Sequence, residues 1–150
     1  MSDATVETLE VELTPEELLS ELKKVDSRIN MLEYSYNQLL YKALARGAAQ
    51  RELVQLREAE QKRNELLSKA TRDVHIAFET WKDEQLGEYE RTLEKIEEKS
   101  SELARISTRD FQRDKKNPEY IQLKRQYDKL MINIDVKYFV LQRDRQKKAS

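Results

Sequence analysis

The chain has no cysteine, one histidine, two glycines and two prolines among its 150 residues. Without cysteine there is no disulfide, no cysteine nucleophile and no Cys/His zinc site, and the absence fits a reducing compartment. The lone His75 cannot form a paired-histidine metal site, and Arg72 stands where a Glu-x-x-His motif needs glutamate. Gly47 and Gly87 lie too far apart for a P-loop or a dinucleotide fingerprint. No apolar run approaches the ~20 residues of a membrane span. The N-terminus, MSDATVETLEVEL, has neither the basic residues nor the apolar stretch of a secretion signal. These absences lead us to expect a cytoplasmic chain, of its own cell or of a host, with no cofactor, no bound metal and no membrane partner. General acid chemistry needs a pocket that shifts a pKa, and narrow helical hairpins rarely enclose one. We therefore expect no enzyme.

What is present is charge. Charged and hydrophobic residues each make up 38% of the chain, which is too little apolar matter for a thick layered core and enough for an ordered, thin one. Residues 1–21 hold seven acids and no base, whereas residues 105–150 hold thirteen bases and six acids. The near-neutral total conceals an acidic front and a basic back.

Both prolines read as helix starts. Thr14-Pro15-Glu16-Glu17 places Thr at N-cap, Pro at N1 and Glu at N3, and Asn117-Pro118-Glu119 repeats the first two choices. The expected plan is an acidic flexible tail over residues 1–13, then one helical domain over 14–150. Its helices fall at about 14–46, 49–106 and 118–147, with Gly47 as a left-handed cap at the first junction. The connection Ser107–Asn117 reads as polar and loose, although Ser107 with Asp110 is placed to cap a short extra turn.

Leu18, Leu22, Val25, Ile29, Leu32, Tyr36, Leu39 and Ala43 alternate gaps of four and three, an unbroken heptad seam that asks for a partner helix. The long second segment carries one seam through Leu53, Leu56, Leu67, Ala70, Val74, Ala77 and Trp81. A second, out of phase, runs through Leu86, Tyr89, Leu93, Ile96 and Leu103. Tyr120, Leu123, Tyr127, Leu130, Ile134, Tyr138 and Leu141 form the last seam. Folding the outer helices back sets Val25 opposite Ala70 and Ile134 near Tyr89. Residues 83–102 hold eight acids and three bases, and residues 117–150 hold eight bases and four acids, so charge favours the second pairing. The expected fold is all-α: an elongated antiparallel coiled coil of three helices, with a long central helix shared by an N-terminal and a C-terminal hairpin.

One stretch resists this plan. Met131–Lys137 alternates apolar and polar residues as a strand would, yet it follows a well-marked helix start. Read as helix, it carries a second apolar stripe, Ile132, Val136 and Phe139, that would face another protein or a second copy of the chain. Trp81, at the register slip, either plugs the gap there or anchors a partner. Arg143, Arg145, Lys147 and Lys148 project beyond the last seam and are the candidates for phosphate contact.

The stretch Asp73–Glu84, DVHIAFETWKDE, resembles the middle of the flagellar/type III export stalk proteins. The basic segment Tyr120–Lys148 is similar in style to phage single-strand recombination mediators. Each likeness is confined to those residues and carries no functional residue across. The expected function is a non-catalytic interaction protein, acting as adaptor, assembly chaperone or structural spacer. Its expected partner is a protein, with homo-oligomers formed, and nucleic acid bound at the basic C-terminus is the alternative.

Overall fold

A computed structural model describes residues 12–42 and 46–149. These form six helices and no strand: α1 (Pro15–Leu40), α2 (Arg46–Lys69), α3 (Arg72–Ile106), α4 (Phe111–Lys116), α5 (Pro118–Met131) and α6 (Ile134–Ala149). Most of the acidic head, residues 1–11, lies outside the described residues, as does Ala43 of the first seam. Both proline-marked starts are present. The Thr14 hydroxyl accepts from Glu17 N–H at 3.1 Å, and Asn117 Oδ1 accepts from Glu119 N–H at 3.0 Å, each satisfying an amide that has no partner within its helix. The chain divides into two compact units, Met1–Lys82 and Asp83–Ser150.

In the first unit, α1 buries five residues that its heptad marks, Leu18, Leu22, Val25, Ile29 and Leu32, while Tyr36 and Leu39 of the same seam are only half-buried. They pack with Leu56, Ala59 and Leu66 of α2 and with Val74 and Phe78 of α3. Full burial of side chains such as Leu22, Ile29 and Phe78 is worth about 1.5–3 kcal/mol apiece, so the apolar seam carries this unit. The α2 stripe is displaced from the expected one. Ala59 and Leu66 are buried, and Leu53 and Leu67 are only partly so. Adjacent leucines offer two possible stripes, and Leu66 rather than Leu67 joins Ala59 in the buried one.

The pairing of α1 with α2 is antiparallel but slipped by about one heptad from expectation. Asp26 meets Arg63 (3.3 Å), and Val25 shares a cleft with Ala59 and Lys62 where Ala70 was expected. The slip follows from the helix ends, since α1 ends and α2 begins earlier than expected. Helix α1 stops at Leu40, and Gly47 lies inside α2 with ordinary backbone geometry, so it is not a left-handed cap.

The expected helix over 49–106 is interrupted at residues 70–71, and α2 and α3 are separate helices. Thr71 starts α3 as an N-cap, its hydroxyl accepting from Val74 N–H at 3.4 Å. The Leu67 carbonyl at the end of α2 accepts from Ala70 N–H (3.1 Å) and from His75 Nε2 (2.9 Å). His75 therefore closes a helix end. Periodicity alone conceals such a break, because the apolar spacing continues across it.

The second unit contains the rest of α3 with α4, α5 and α6. Ser107–Asn117 is ordered by hydrogen bonds. Asp110 Oδ1 caps α4 by accepting from Gln112 N–H (3.0 Å) and Arg113 N–H (3.3 Å). The buried Asp114 accepts from Thr108 Oγ1 (2.6 Å), Thr108 N–H (2.8 Å) and Ser107 Oγ (3.1 Å). The expected helix over 118–147 is also divided. Ile132 is extended, and Asn133 has φ 61°, a left-handed conformation that asparagine tolerates better than most residues. The alternating stretch is thus neither strand nor continuous helix, but a helix, a two-residue break and a helix.

Candidate interaction surfaces

Trp81 is half-buried against the core of the first unit. Its ring stacks on Phe78 at a centroid distance of 6.0 Å, and Lys23 Nζ lies 5.8 Å from its centroid. Ile132, Val136 and Phe139 belong to the second unit. The break at 132–133 takes Ile132 off the helical stripe and leaves it 64% exposed, while Val136 and Phe139 are half-buried on α6. Ile134, Val140 and Leu141 are the buried residues of α6. At the start of α6, Lys137 Nζ sits 5.8 Å from the Tyr89 ring centroid, within a turn of the expected register. By its end, Arg145 pairs with Glu90 (3.7 Å), about three turns from that register.

The basic end is engaged unevenly. Arg143 is half-buried and bonded to Asp144 (3.0 Å). Arg145 and Glu90 are both largely exposed, so their pair is worth at most about 1 kcal/mol. Lys147 and Lys148 are exposed in the last turn of α6.

A surface that the sequence reading did not single out lies on α4 and α5. Phe111, the first residue of α4, is 73% exposed, yet it stands on a helix held by Asp110 and Asp114. One open cleft is lined by Phe111, Lys115, Tyr120, Ile121, Lys124 and Arg125. A second, sharing Ile121 and Arg125, continues along α5 past Gln122 and Gln126 to Lys129. No carboxylate lines either cleft. Two of the acids nearby are held by bonds, Asp114 away from the clefts and Asp128 on the lining residue Lys124. Thr108 and Ser107 hold the Asp114 carboxyl below the usual carboxylate range, with the Thr108 hydroxyl bond the main cause. Asp128 bonds to Lys124 at 2.8 Å, which raises the lysine above its ordinary value. The sequence signal was Phe111 within a run of Arg109, Arg113, Lys115 and Lys116. It passed unnoticed because the segment read as a loose connection.

Among the described residues, no three His, Asp or Glu side chains converge as metal ligands would, and no helix is long and apolar enough to cross a membrane. Neither a family model, a curated protein nor a solved structure matches the chain.

Proposed function

We propose that this chain is a non-catalytic helical interaction protein, an adaptor, assembly chaperone or spacer, that binds another protein through apolar side chains exposed on its helices. In this reading the α1–α2 hairpin is an antiparallel coiled coil, and a second copy of the chain is one of the partners. The supporting observation is Ile132, a β-branched apolar side chain 64% exposed, with Tyr138 of α6 also exposed. It stands on a break whose geometry holds it outward. The core of the first unit, by contrast, is filled by its own three helices. The reading as a non-enzyme is supported by His75, the one imidazole, which serves as a helix cap (2.9 Å to the Leu67 carbonyl), and by Asp26 and Asp114, whose carboxylates are engaged in structural bonds.

Photocrosslinking from position 132 in expressing cells, with light scattering on the purified chain, tests this. A protein adduct of defined mass is expected, lost when Val136 and Phe139 are replaced by serine. A monomer at every concentration, together with no adduct from position 132, refutes the reading.

A further inference from the structure

We propose that the strip along α4 and α5 binds single-stranded nucleic acid, a function separate from the protein-binding surface at Ile132. Three observations meet there. Phe111 offers an exposed ring on a backbone held by the Asp110 cap and by the Asp114 bonds to Ser107 and Thr108. Such a ring stacks on a base without waiting for a loop to order. Lys115, Arg125 and Lys129 follow one another along the two joined clefts, and none makes an ion pair among the described residues. Finally, no acid lines the strip, although the chain carries 29 Asp and Glu. The occupant selected by this surface bears repeated negative charge and a flat apolar face.

An acidic peptide satisfies the charge but not the shape. An amphipathic helix docks by setting several anchors into a concave apolar groove, whereas α5 buries no side chain and Phe111 projects outward. A nucleic acid strand needs only a stacking surface and a line of cations, and the Gln122 and Gln126 amides add donors and acceptors for base edges. This site also differs from the basic end of α6, where Arg143 and Arg145 already hold carboxylates.

Fluorescence anisotropy of a labelled, mixed-sequence oligonucleotide of about 16 nucleotides, titrated with the full chain at about 50 mM salt, tests the proposal. The single strand is expected to bind more tightly than the matching duplex, with affinity falling as salt rises. Phe111→Ala is expected to weaken binding about tenfold, the effect of losing one stacked ring, and Phe111→Trp to retain it. Arg125→Glu with Lys129→Glu should abolish binding, with unchanged circular dichroism and melting showing that the fold survives. Replacing Arg143, Arg145, Lys147 and Lys148 together by alanine should leave most of the affinity. No binding at low salt overturns the proposal. So does binding indifferent to Phe111→Ala, or polyglutamate competing as well as the oligonucleotide, since charge alone would then be read.

Discussion

Replacing Arg63 by leucine leaves the buried Asp26 carboxylate without its cation, and the cost of that single change follows from the pair's geometry. Asp26 is 5% exposed, and its Oδ1 lies 3.3 Å from the Arg63 guanidinium, whose side chain keeps 27% of its surface in water. At an effective dielectric constant near 20 the attraction is about 5 kcal/mol. Desolvation of the two ions cancels most of it, so the intact pair contributes little net stability. Removing one partner is different. An uncompensated buried charge costs about 3–5 kcal/mol, and Arg63→Leu belongs at the lower end, about 3 kcal/mol, because Asp26 sits near a partly wetted edge. Asp26→Leu leaves a guanidinium that reaches solvent and costs about 1 kcal/mol. The double variant fills the seam with apolar volume and is expected to equal or exceed the original stability. Urea unfolding of the four proteins, followed by circular dichroism and by Trp81 fluorescence, gives the coupling energy directly. A coupling below about 0.5 kcal/mol, the level of an exposed pair, would refute the claim that the buried Asp26 carboxylate depends on Arg63.

Gly47 lies within α2, and a Cβ there would meet nothing within 4 Å, so Gly47→Ala is expected to stabilise the chain by about 0.5–1 kcal/mol; a destabilised variant in urea unfolding counts against a helical position. Asp114 has its carboxyl lowered from an ordinary value of 3.8 by its Thr108 and Ser107 bonds. Its contribution is therefore fully present above that value and lost as pH falls through the lowered one. The Thr108 amide proton, protected at neutral pH, should lose its protection relative to the intrinsic exchange rate in strong acid, and at all pH values in Asp114→Ala; protection unchanged in that variant contradicts the assignment. Asn133, at φ 61°, should accept glycine with little change and lose about 1–2 kcal/mol on substitution by valine, measured by thermal melting. Equal stability of the two variants would place the α5–α6 break elsewhere.

Local signals were legible where one residue's chemistry decides the backbone. Thr14-Pro15 and Asn117-Pro118 start helices because a side-chain oxygen reaches amides that have no other partner and proline has no amide to satisfy. Asp110 caps α4 for the same reason, but without Ser107, whose hydroxyl donates to Asp114 instead. The interior of α2 was less legible. Leu66 and Leu67 stand side by side, and nothing local tells which one faces α1. The Phe111 strip was obscured because its order comes from Asp114, an acid whose partners lie six and seven residues earlier in the chain.

The sequence by itself determined that the described chain is all helix, that its segments begin at the two proline signals, and that one face of α1 must be covered. Each follows from periodicity or from bonding within a single turn. Only the tertiary structure decided which leucines of α2 cover that face, that Asp26 meets Arg63, and that the chain breaks at residues 70–71 and 132–133. Those outcomes depend on where α1 ends and α2 begins, at Leu40 and Arg46, and on bonds such as Asp26–Arg63 and Leu67–His75 between residues that the spacing along one helix does not relate.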